Sequence, residues 1–160
     1  MYTVHKINRL LEQASDLASL EEFDEAFHIY DKILRHDPKN INALIDKGAT
    51  LQRIGKNKQS IKYFEKALKV NPENIDGLIG KGSALHALGK FSDAISCYDT
   101  ILEINSKFPV ALAYKGLSLG EQGKIKDALK YFKMALVIDK DYDLAQVSKK
   151  KALELLKSKK

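Results

Sequence analysis

One phrase returns along this chain at a fixed interval. "LIDKGATLQRIGK" occupies residues 44–56, "LIGKGSALHALGK" residues 78–90 and "LAYKGLSLGEQGK" residues 112–124. Each copy starts 34 residues after the one before it. A constant period of about 20–50 residues marks stacked supersecondary units, because one such unit cannot bury its apolar face alone. The period therefore constrains the architecture before any single residue does.

Two helical patterns follow one another within each period. In the second unit Leu44, Lys47, Gly48 and Leu51 recur at helical spacing, as do Ile61, Phe64, Ala67 and Leu68. Gly55 falls between them, matched by Gly89 and Gly123, where a helix ends with a residue at positive φ. Asn40 and Asn74 are placed to cap the following helices, and Pro38 and Pro72 to close the preceding ones. Pro109 stands near a helix start, where its missing N–H does no harm. Counting back one period gives a first unit with Ile7, Leu10, Leu11, Ala14 and Leu17, then Phe23, Ala26, Tyr30 and Ile33. The chain thus reads as one domain over 1–160: hairpins at 7–40, 41–74, 75–108 and 109–142, and a last helix over 143–158.

Small residues stand in register where helices must approach. Ala14, Gly48, Gly82 and Gly116 share one position, and Ala26, Ser60, Ala94 and Ala128 another. Glycine inside a helix costs about 1 kcal/mol relative to alanine, so three in register imply a packing demand. These residues resemble the tetratricopeptide repeat family. In the second unit its series is Leu44, Gly48, Leu51, Ser60, Phe64, Ala67 and Pro72. The third holds Leu78, Gly82, Leu85, Ala94, Tyr98 and Ile101, and the fourth Leu112, Gly116, Leu119, Ala128, Phe132 and Ala135. Ser106 and Lys140 depart from the closing proline, and Glu21 from the turn glycine. The resemblance implies an all-α fold, a right-handed α-solenoid of stacked antiparallel helical hairpins. It also implies that the first helix of each hairpin lines a concave groove. Lys150 falls where the repeats hold Gly or Ala, so the last helix reads as a cap, with Leu153 and Leu156 covering the final repeat.

Composition narrows the function classes. The net charge is +6, but residues 149–160 carry six Lys and one Glu, so the preceding body is close to neutral. A nearly neutral body lacks the basic face that nucleic-acid binding needs. No apolar run reaches the roughly 20 residues that span a bilayer, and the N-terminal stretch lacks the pattern of a signal peptide. The single cysteine, Cys97, excludes an internal disulfide and suits a reducing cytoplasm. No P-loop, G-x-S-x-G, H-E-x-x-H or paired-cysteine motif occurs, so neither an enzyme nor a metal or cofactor site is expected.

The function instead points to a surface. The second helices carry charged outer faces, such as Lys58, Lys62, Glu65, Lys66 and Lys69. The second stripe of the first helices carries almost none, which is the composition of a binding face. The expected reading is a protein-interaction module whose groove receives a peptide or helical segment of a partner. The groove residues are Leu11, Asn42, Ile45, Ala49, Gln52, Arg53, Asp76, Ile79, Ser83, His86, Ala113 and Leu117. Some grooves of the family clamp the acidic C-terminus of heat-shock chaperones through Lys, Asn and Arg. The matching positions here are Leu11, Ser15, Asp46, Asp76 and Gly80, which hold no cation, so that ligand is not expected. The alternative is a self-associating scaffold, for which Met134 and Val137 are apolar where earlier units are mostly polar. RNA binding would need stacking aromatics in the groove, and Arg53 has none beside it in the stripe.

Overall fold

The computed structural model describes residues 3–158; residues 1–2 and 159–160 of the expected domain lie outside them. Among the described residues there are nine helices and no strand. They are α1 (Val4–Ser19), α2 (Phe23–His36), α3 (Ile41–Arg53), α4 (Asn57–Val70), α5 (Ile75–Ala87), α6 (Phe91–Ile104), α7 (Pro109–Glu121), α8 (Ile125–Ile138) and α9 (Asp143–Lys157). The chain forms two compact units, Met1–Gly80 and Lys81–Lys160, and α5 runs across their boundary.

The turns inside the hairpins follow from one backbone device. The α3–α4 turn ends with Gly55 at φ 75°, and the Lys56 N–H returns to the Leu51 carbonyl at 2.9 Å. This six-to-one bond satisfies a carbonyl that the helix end leaves unpaired. Gly89 and Gly123 repeat it, and so does Glu21, which adopts φ 63° without being glycine. The longer linkers between hairpins use a second device. Asp37, Asn71, Asn105 and Asp139, again 34 residues apart, each accept through Oδ1 from the backbone N–H two residues on, at 3.0–3.2 Å. Asn40 and Asn74 then cap α3 and α5, accepting from the Ala43 and Gly77 N–H groups at 3.0 and 2.8 Å.

In the first unit, Leu11, Ala14 and Ala18 of α1 pack with Ala26, Ile29, Tyr30 and Ile33 of α2 and Ala43 of α3. Within α3–α4, a Cβ on Gly48 would stand 2.9 Å from the Phe64 ring, so only glycine admits that ring. In the second unit, Leu112 and Ala113 of α7 pack with Ala135 of α8 and Ala145 of α9. Leu119, Ala128, Phe132 and Ala152 form a neighbouring cluster. The cap therefore docks chiefly through Ala145 and Ala152, seven residues apart on one stripe, with Leu156 half-buried beside them. Leu153 stays 37% exposed, because one residue beyond Ala152 turns it about 100° away from the buried stripe. Cys97 is buried on α6.

Candidate interaction surface

In the first unit, α1 and α3 share a face that the hairpin cores do not consume. A groove of about 440 Å³ runs along it, lined by Asn8, Leu11, Glu12, Ser15, Asn42 and Asp46. Leu11 is 9% exposed and packs with Ala43, so it lies mostly within the core. Asn42 and Ala49 are exposed, and Ile45 and Gln52 half-buried. The first turns of α5 add exposed Asp76 and half-buried Ile79. A Cβ on Gly80 would meet Phe64 Cζ at 2.4 Å, so this position stays bare to make room for the ring of α4.

The electrostatics of this face are acidic. Burial, and then the nearby Asp76 carboxylate, push the Asp46 carboxyl above the ordinary aspartate range. Arg53 does not reach out to balance it. Its Nη1 donates to the Ala18 carbonyl at 3.0 Å, and its guanidinium lies 5.7 Å from the Phe23 ring centroid. Arg53 therefore ties α3 to the α1–α2 turn.

In the second unit, Ser83 and His86 of α5 are half-buried. His86 Nδ1 hydrogen-bonds Ser118 Oγ at 2.9 Å, and its ring meets Phe91 edge-on at 5.2 Å. Those contacts join α5, α6 and α7. Ala113 is fully buried against the cap. Leu117 is half-buried and lines a cleft of about 230 Å³ between α7, α8 and α9. Met134 and Val137 of α8 are 39% and 80% exposed, so the cap does not cover them.

Two lysines on the other side of the first helices escaped sequence reasoning. Lys47 is only 7% exposed. It pairs with Asp31 of the preceding hairpin and lies over the Tyr63 ring, 4.7 Å from its centroid. Lys115 repeats this with Asp99 and with Tyr131 at 4.4 Å. Burial alone would lower both ammonium pKa values; hydrogen bonds to the carboxylates, and then the tyrosines, outweigh it and raise them. Both sets recur 68 residues apart, a signal that was available in the repeat.

The sequence profile of the tetratricopeptide repeat family matches residues 45–109 and 79–143. The solved structure of a MamA protein superposes with a TM-score of 0.81 at 22% identity, over 92% of this chain and 81% of that one. The first tetratricopeptide repeat domain of Spaghetti (RPAP3), bound to the HSP90 peptide SRMEEVD, gives 0.69 at 22% identity, over 75% of this chain and 95% of that one. A tetratricopeptide repeat protein from Parabacteroides merdae gives 0.77 at 23% identity, over 89% and 57%. Likeness at such identities shows the fold. Among curated proteins, none matches the chain. No helix among the described residues is long and apolar enough to cross a membrane.

Proposed function

Since the chain belongs to the tetratricopeptide repeat family, with four repeats and a capping helix, we propose that it is an interaction scaffold binding a segment of a partner protein along its first-helix faces. In this reading it binds rather than catalyses, and works in the cytoplasm. The observation that carries the proposal is the contrast between two sides of the hairpins. Ile45 and Ile79 stand half-buried among exposed Asn42, Ala49 and Asp76, while α4 turns Lys58, Lys62, Glu65, Lys66 and Lys69 to solvent. An apolar side chain laid on Ile45 or Ile79 removes area from water, and fully burying one such residue contributes about 1.5–3 kcal/mol. Asn42, Gln52 and Asp76 flank these residues in the first unit and orient the segment by hydrogen bonds; in the second unit His86 offers the ring edge that Ser118 leaves free. Leu11 and Ala113, being buried, support the faces from beneath.

The test replaces Ile45 and Ile79 together by lysine. The double variant is expected to keep the wild-type helical circular dichroism and to lose the partners that wild type recovers in a pull-down. A folded variant that recovers all of them places the binding surface elsewhere; an unfolded one makes the two residues core. The RPAP3 domain holds an acidic HSP90 peptide, but Asp46 and Asp76 stand at two of the clamp positions here. A third carboxylate beside the already perturbed Asp46 is repelled, so no binding of SRMEEVD is expected by calorimetry.

A further inference from the structure

Leu20 projects from the α1–α2 turn with 69% of its surface exposed. One exposed leucine is ordinary. Its surroundings are not. Residues 16–25, "DLASLEEFDE", hold five carboxylates and no cation, and Asp16, Glu21, Glu22, Asp24 and Glu25 are all exposed. The cation that reaches this turn, Arg53, is engaged with the Ala18 carbonyl and the Phe23 ring. The turn is also firm. Glu22 N–H donates to the Leu17 carbonyl at 2.9 Å, and Glu21 N–H to that of Ala18 at 3.1 Å. The leucine is thus an apolar knob on a fixed, anionic mount.

The second unit carries a socket of the opposite character. The cleft between α7, α8 and α9 has an apolar floor of Leu117, Ile125, Phe132 and Ala152, with Leu155 and Lys151 at its mouth. Its volume, about 230 Å³, lies below the roughly 300–1,000 Å³ of small-molecule pockets and suits one bulky side chain. Lys151 and Glu121 both line it; Lys124 and Lys126 line an adjoining hollow with Ile125 and Asp127, and Lys149 and Lys150 precede Lys151 on α9. Over the whole units the first is neutral and the second basic. Residues 1–80 hold twelve basic and twelve acidic side chains, and residues 81–160 fifteen and nine.

We propose that the chain associates with a second copy of itself head to tail. Leu20 of one copy enters the α7–α9 cleft of the next, and Glu21 and Glu22 face Lys151 and its neighbouring lysines. The two surfaces differ, so the contact is heterologous and leaves a free knob and a free socket at the ends. A contact built on one side chain buries less than the roughly 1,000 Å² of a stable interface, so the assembly is weak and concentration-dependent. It reaches beyond the partner-binding reading. The two share Leu117 but not Ile45 or Ile79, so either can fail alone.

Sedimentation velocity on the full chain tests it. The mean mass is expected to climb above the 18.0 kDa monomer between micromolar and millimolar concentration, and to fall back at high salt. Leu20→Ser and Lys151→Glu are each expected to weaken association at least about tenfold, or 1.4 kcal/mol. Leu155→Glu fills the socket with charge; should it unfold by circular dichroism, Lys151→Glu takes its place in the mixing step. Leu20→Ser and the socket variant, each monomeric alone, are expected to pair when mixed, because one keeps a socket and the other a knob. A chain monomeric at every concentration overturns the proposal. So does a Leu20→Ser variant that associates like wild type, a mixture that stays monomeric, or loss of association in Val137→Lys, which would assign the contact to the outer face of α8.

Discussion

Glu21 occupies a position that three other turns give to glycine, with φ 63° against 73–77°. The left-handed region costs a side-chain-bearing residue about 1–2 kcal/mol, while glycine's larger unfolded-state entropy takes part of that back. Glu21→Gly is therefore expected to stabilise the fold by about 1 kcal/mol. The urea midpoint should rise without a change in slope. Asp46 makes the opposite kind of statement. Its pKa is raised in the folded chain, by burial first and Asp76 second, so the folded state holds its proton more tightly than the unfolded one. Stability from this group therefore grows as pH falls from the raised value toward the ordinary 3.8. Asp46→Asn is expected to raise the melting temperature at pH 7, and the gain should vanish near pH 3, where wild type is neutral too. Melting curves of both proteins at the two pH values check this. The strain at Glu21 could be inferred from the repeat register. The perturbation at Asp46 could not, since it depends first on burial between helices and then on a neighbour 30 residues away in the chain.

At the scale of elements, α9 decides whether the last hairpin is finished. It covers Ala113 and Ala135 with Ala145, and Phe132 with Ala152. Removing residues 143–160 leaves those apolar surfaces in water, and the shortened chain is expected to melt at lower temperature and to aggregate. Light scattering during a thermal ramp measures both; an equally stable, monomeric 1–142 chain would contradict it. The fold was largely legible because the turns within and between hairpins have local chemical causes that repeat. Glycine at the tight turn, asparagine at the cap and an alanine or glycine opposite an aromatic all recur in one register. The candidate surface was less legible, because burial there is set between hairpins. Leu11 and Ile45 occupy the same repeat position, yet Leu11 is 9% exposed and packed on Ala43, while Ile45 is only half-buried. Arg53 looked like a groove cation, but its contacts lie 35 residues back, at Ala18. Lys47 looked like part of a helical stripe, and its burial depends on an aspartate and a tyrosine from two other helices.

At the scale of the molecule, the sequence showed a basic tail and a nearly neutral body; the division into units sharpens this. All of the net +6 belongs to Lys81–Lys160, and Met1–Gly80 is balanced. The consequence lies in rates rather than in contacts. Charges of one sign speed the approach of an oppositely charged molecule before any surface is buried, and the effect fades once the screening length falls below about 10 Å. An acidic partner should thus be captured faster as ionic strength drops, with the second unit setting the slope. Lys149→Glu together with Lys150→Glu, both on α9, should slow that capture several-fold at low salt and leave the escape rate nearly unchanged. Stopped-flow mixing over a salt series separates the two rates, and an uncharged partner, gaining no head start from the lysines, should bind both proteins at one speed.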